Sequence, residues 1–204
     1  MANDEACPTF EEILANYMVG HEFLKNELNI EAPKVAWLVD SFGHSAATPE
    51  LMSKMGFESI VFSRLSDQEK TQRQTDKLLE FLWKPTFEGT TTPQTSTGLF
   101  THITHELYSG PCGIDLTIYQ SDYTFMKNHF SGRLNDHTRN VDVMLTCIKK
   151  YISHYRTKHV MFTLGSDYSF QYANLSYGYI EEIVKMMSEH PEAGRTLKFQ
   201  YSTV

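Results

Sequence analysis

Apolar runs and amphipathic stretches alternate along most of this chain. Residues 9–28, TFEEILANYMVGHEFLKNEL, place Phe10, Ile13, Leu14, Tyr17, Met18, His21 and Leu24 on one helical face, with Thr9 and Glu12 spaced as a capping box. An apolar strand is expected over 34–40, then a short helix with Thr48 as cap, Pro49 in its first turn and Gly56 at its end. A second strand is expected over 58–65, then a polar helix, then a third strand over 77–85 stopped by proline. Residues 86–99 are rich in Thr, Gly and Pro and read as a loop, and irregular chain is expected to continue to about residue 134. A long helix over 136–155 sets Val141, Met144, Leu145, Ile148, Ile152 and Tyr155 on one face. A fourth strand over 158–167, a helix around 178–189 and a last strand over 197–203 complete the pattern. Strands apolar throughout and separated by amphipathic helices argue for an α/β fold with a parallel sheet covered on both faces.

Composition narrows the function. The chain has 204 residues, enough for one domain or a piece of one, and its 41% hydrophobic content can fill a core. With 18 basic against 25 acidic residues the net charge is −7, and no Lys/Arg cluster stands out, so nucleic acid is excluded as a partner. A neutral, polar ligand such as a sugar suits this surface. No apolar run approaches the roughly 18 residues that a membrane span needs, and no signal peptide is expected at an N-terminus acidic from residue 4. Cys7, Cys112 and Cys147 form no CxxC pair, and free core thiols are expected.

Chemistry in α/β folds sits at the carboxyl ends of strands. Two of the expected strands finish on a carboxylate there: AWLVD on Asp40 and VMFTLGSD on Asp167. Each taken alone is read as a helix cap or turn residue. Two together match the equipment of a glycosidase, one carboxylate attacking or activating water and the other donating a proton. Trp37, Phe42, Tyr168, Phe170, Tyr172 and Tyr177 crowd the same strand ends, where rings can stack on sugar C–H faces or simply fill the core. Arg64 follows another strand and either reaches a sugar or carboxylate, or pairs on the surface with Asp67 or Glu69. HITHE (102–106) has its histidines three apart rather than four, which is the wrong spacing for a zinc protease. NLS (174–176) matches an N-glycosylation acceptor, with burial expected to keep it unmodified.

The blocks KVAWLVDSFGHS, MSKMGFESIVFSRLSDQEK and KHVMFTLGSDYSFQYAN resemble glycoside hydrolase family 38, the lysosomal- and Golgi-type α-mannosidases. The likeness also runs through NDEA, GHEFL, EFLWKP and the 140–161 helix, in order along nearly the whole chain. It implies retaining hydrolysis of terminal α-mannose from oligosaccharides, assisted by zinc, in a lysosome, a vacuole or the Golgi lumen. It implies that residues 1–204 are an incomplete catalytic domain: a partial seven-stranded β/α barrel without its first strand or the downstream β-domains.

Carried over residue by residue, the family's nucleophile falls on Asp40, which there also binds zinc, and its acid/base falls on Asp167. Arg64 matches a sugar-site arginine, Tyr108 a substrate-contacting tyrosine, and Trp37 stands as a further sugar contact. Aromatic neighbours suit Asp167 to proton donation, and retention requires the two carboxyl groups to lie about 5–5.5 Å apart. The remaining zinc ligands are expected outside this chain, and a catalytic zinc normally takes three protein ligands. Little turnover is therefore expected of the chain in isolation, and a non-catalytic fragment that at most binds mannosides is the alternative. Ser41 replaces a proline and Thr9 a histidine of the family pattern, so a looser turn is expected after Asp40. His44 is expected to order that turn rather than to ligate metal. A carbohydrate deacetylase would need an Asp-Asp pair with HxxxH, a set the sequence lacks.

Overall fold

The computed structural model describes residues 2–84, 98–110, 112, 137–167 and 169–202. The expected loop from 86 to 97, the irregular stretch from 113 to 134, and Tyr168 lie outside the described residues. The chain divides into two compact units, one formed by Met1–Leu107 with His154–Arg156, the other by Tyr108–Ser153 and Thr157–Thr203.

The first unit is a mixed α/β sheet. Helix α1 (Phe10–Leu28) starts at the capping box read from the sequence, with the Thr9 side chain accepting from the Glu12 amide and Glu12 returning the contact. Tyr17 is its buried anchor; of the expected face, Phe10 and Met18 instead stand exposed. Strands β1 (Val35–Leu38) and β2 (Ser59–Phe62) flank helix α2 (Thr48–Lys54), and helix α3 (Asp67–Thr75) follows β2, capped by Ser66. Strands β3 (Glu80–Trp83) and β4 (Leu99–Ile103) complete a four-stranded sheet of order β1-β2-β4-β3. Leu38, Met52, Ile60, Leu79, Leu99 and Ile103 are the largest fully buried side chains of this unit.

Several expectations are corrected here. The sheet is not wholly parallel: β1, β2 and β4 are parallel, but β3 runs antiparallel to β4. An apolar run specifies burial, not direction. Here direction goes with a cross-strand pair, since Glu80 lies opposite His102 and its carboxylate accepts from the His102 Nδ1 at 3.0 Å. Leu99–Ile103, read as irregular, is a full strand bonded on both sides. Thr48 does not cap α2: its hydroxyl donates to Glu5 Oε2 at 3.0 Å, and Ala47 holds the cap position without a side-chain bond. Gly56 does end that helix, at φ +92°.

Burial pushes the pKa of His102 below the ordinary imidazole value of 6.5, against the opposing pull of Glu80. An unfolded chain therefore takes up this proton before the folded one as pH falls, so stability is present above 6.5 and drains away below it. Urea midpoints should drop between neutral pH and the acid side of that value. His102→Asn, which keeps a donor toward Glu80 without a titrating ring, should flatten the slope.

The second unit is built on helices α4 (His137–Ser153), α5 (Ala173–Glu189) and α6 (Ala193–Thr196). Val141, Leu145 and Ile148 of α4 pack with Tyr179, Ile180, Ile183 and Met187 of α5 and Ala193 of α6. Cys112 and Cys147 are joined by a disulfide, correcting the free thiols expected; Cys7 alone is free and exposed. Sequence spacing carries no signal for a bridge across 35 residues, because the fold, not a local motif, brings the two together. Neither 158–167 nor 197–202 forms a strand. Residues 160–166 are only half-buried, and a strand needs a ladder partner that apolar content alone does not supply. Asn174 is exposed in the first turn of α5 while Ser176 is buried, so burial does not shield the acceptor asparagine.

Candidate active site

Register brings the first site together. Leu38 lies opposite Phe62, and Phe62 opposite Ile103, so β1, β2 and β4 finish level with one another. Asp40 and Arg64 each sit two residues beyond their strand's end, on the same rim of the sheet. There Arg64 donates from Nε to Asp40 Oδ1 at 2.6 Å, and Nη2 lies 2.6 Å from the same oxygen. The arginine therefore pairs with the strand-end carboxylate, not with Asp67 or Glu69. Its guanidinium also lies 5.6 Å from the centre of the Phe42 ring, a cation–π contact on an exposed side chain.

The turn after Asp40 is tied down rather than loose. Ser41 Oγ donates to the Asn3 carbonyl at 3.0 Å, and the Tyr17 hydroxyl donates to Asn3 Oδ1 at 3.1 Å. A side-chain tether here replaces the backbone restraint of a proline. Gly43 takes φ +96°, which a side chain rarely adopts. Burial, and secondarily the charge of Glu5, pushes the Tyr17 phenol up to about 12, so it remains a donor throughout the working range. His44 orders the turn as expected, its Nε2 standing 2.9 Å from the Arg64 carbonyl. Trp37 is half-buried in β1, three residues before Asp40, on the face opposite Ala36 and Leu38. A cleft of about 250 Å³ opens between Asp40 to Phe42 and the N-terminal residues 2–5.

In the second unit Asp167 is exposed, and the Tyr108 hydroxyl lies 3.4 Å from its Oδ1, at the long limit of a hydrogen bond. The turn that carries Asp167 has special backbone at both ends. Gly165 sits at φ +140° and Phe170 at φ +63°, the latter a conformation that bulky residues rarely take. A Cβ on Gly165 would come within 3.2 Å of the Phe170 ring. Gly165→Ala is therefore expected to destabilise this unit by about 1–3 kcal/mol, read from a chemical denaturation midpoint. Tyr172 and Tyr177 are exposed, and Tyr177 packs 5.5 Å from Phe170, centre to centre.

Zinc can be tested against these side chains. Among the described residues no three His, Cys, Asp or Glu side chains come together as a metal requires, and Asp40 is engaged by Arg64. His102 and His105 do not alter this, since His102 faces Glu80 across the sheet. The described residues do not by themselves fit a zinc ion, and no chemical step is drawn through one.

The sequence reading missed Glu5, whose carboxylate accepts from the Ser45 amide at 2.6 Å and from Thr48. Its only signal was membership of the NDEA block.

Comparison with known proteins gives one family and a consistent set of relatives. The family model described as the glycosyl hydrolases family 38 N-terminal domain matches residues 1–204. The chain is similar to the lysosomal alpha-mannosidase of Dictyostelium discoideum, 28% identical over 205 residues that cover 98% of this chain and 19% of the relative. It is 29% identical over 208 residues to an alpha-mannosidase of Arabidopsis thaliana, covering 98% and 19% respectively. It is 28% identical over 202 residues to the human lysosomal alpha-mannosidase, covering 98% and 20%. The chain thus spans about a fifth of the length of the curated relatives it matches.

Proposed function

The chain belongs to glycosyl hydrolase family 38, through its N-terminal domain, and on that premise we propose that it is the catalytic segment of a retaining α-mannosidase. Asp40 is the nucleophile. Its carboxylate oxygen attacks the anomeric carbon of a terminal α-mannoside while the bond to the glycosidic oxygen breaks. Asp167 gives that leaving oxygen its proton, then removes a proton from the water that releases the mannose and frees Asp40. Arg64, Tyr108 and Trp37 contact the sugar, Arg64 by orienting the attacking carboxylate and by hydrogen bonds to hydroxyl groups.

The observation that carries this reading is the Asp40–Arg64 pair. Two residues from separate strand ends meet at 2.6 Å on one rim of the sheet, where α/β enzymes hold their reacting groups. A barrel completed by further strands, and a lysosomal setting like that named for the Dictyostelium and human relatives, belong to the same proposal. Zinc belongs to it as well, with Asp40 as one ligand and the others supplied from beyond the described residues.

The test is a chimera. This chain replaces the corresponding segment of the Dictyostelium relative, which it matches over 98% of its own length, and hydrolysis of an aryl α-mannoside is followed with zinc present. Turnover releasing α-mannose first, together with covalent labelling of Asp40 by an activated 2-deoxy-2-fluoro mannoside, is the expected result. A folded chimera that binds methyl α-mannoside yet neither turns over nor labels would establish the non-catalytic alternative.

A further inference from the structure

We propose that Glu5 is a positioning residue for the Asp40–Arg64 pair, acting through the imidazole of His44. The proposal rests on the preceding reading only for what Asp40 does to a substrate; the positioning itself stands on geometry. Glu5 and His44 are both deeply buried, with side chains 4% and 11% exposed. Glu5 Oε2 accepts from the Ser45 amide and the Thr48 hydroxyl, which staples the N-terminal segment to the loop after β1 and to the start of α2. Its other oxygen, Oε1, faces His44 Nδ1 at 3.8 Å, and neither of these two buried atoms has a hydrogen-bond partner among the described residues.

The opposite edge of the ring decides the direction of the contact. His44 Nε2 lies 2.9 Å from the Arg64 carbonyl. A carbonyl only accepts, so Nε2 carries the proton and donates. Nδ1, on the ring's other edge, faces Glu5 Oε1, so carboxylate and ring form an ion pair there whenever the ring is protonated. The ring itself is gripped, its centre 4.1 Å from that of Phe62, with Trp83 edge-on at 6.5 Å. It therefore transmits the position of Glu5 to the backbone of Arg64. That backbone in turn carries the guanidinium that meets Asp40 Oδ1. Three segments distant in sequence are joined: the N-terminal segment, the loop after β1 that carries both His44 and Asp40, and the end of β2. A buried carboxylate that orients an imidazole, which then orients a further polar group, is a general second-layer device.

The test uses the full chain labelled with 15N. Long-range imidazole spectra of the unchanged protein should show His44 protonated at Nε2; an unprotonated Nε2 overturns the proposal. Hydrogen exchange at Arg64 Nε should quicken about tenfold in Glu5→Gln, which removes the carboxylate charge facing His44 Nδ1. His44→Gln keeps a donor toward the Arg64 carbonyl but has no second nitrogen for Glu5. Adding Glu5→Gln to it should change the Arg64 exchange rate no further, and effects that simply add would overturn the coupling. Unchanged exchange in Glu5→Gln overturns it too. Should that variant fail to fold, Glu5→Asp keeps the charge, withdraws it from His44, and is read with the same expectation. None of these measurements depends on mannoside turnover, so failure of the mannosidase reading appears separately in the chimera.

Discussion

Asp40→Asn is expected to lower aryl α-mannoside turnover of the chimera by about a thousandfold or more, because an amide cannot form and release the glycosyl ester. The loss should fall on kcat rather than KM. The introduced amide oxygen can still accept from Arg64, and the sugar contacts proposed for Arg64, Tyr108 and Trp37 are untouched. Stability should barely change, since the Asp40 side chain is 52% exposed and the Arg64 side chain 37% exposed, and solvent screens such a pair. Burst labelling by the 2-fluoro mannoside should vanish in the same variant. Labelling that persists would move the nucleophile elsewhere.

Ile60→Ala carries the largest expected effect on stability, about 3–4 kcal/mol. Ile60 is fully buried in β2, between Ala36 of β1 and Thr101 of β4, in a sheet whose strands leave no room to collapse inward. Ile60→Val, which removes a single methylene, should lose only about 1 kcal/mol. The two variants read together in urea separate cavity formation from general sensitivity of the strand: equal losses would place the fault in the backbone rather than in packing.

Elements whose stability is local were legible in the sequence. The capping box at Thr9, the glycine stop at Gly56 and the α4 stripe of Val141, Leu145 and Ile148 are set by neighbours within one helical turn. What sequence reasoning lost was decided at long range. β4 contains Thr101 and His102, polar residues that look unlike a core strand, and it is a strand because β2 and β3 bond it on either side. The apolar stretch from 158 to 167 has the opposite fate and forms no strand, since apolar content alone does not supply a ladder. Polar pairings behaved the same way. Arg64 had Asp67 and Glu69 close in sequence, yet the parallel register of β1 and β2 delivers Asp40 to it. Glu5 acquires its importance only once the N-terminal segment folds over the loop after β1. The strand-end position of Asp40 was readable, but the apparatus that holds it was not.

His154–Arg156 has a practical bearing on how the gene can be dissected. Tyr155 sends its hydroxyl to the Ile103 carbonyl at 3.0 Å and stacks on His102 at 5.4 Å, while Arg156 donates to the Lys77 carbonyl. Three residues encoded far downstream thus plug the first unit from behind. Stopping translation after Leu107 would leave a hole at that spot, with a wetted backbone oxygen and an uncovered imidazole. The two halves are separable on paper, but no single cut in the reading frame yields both intact.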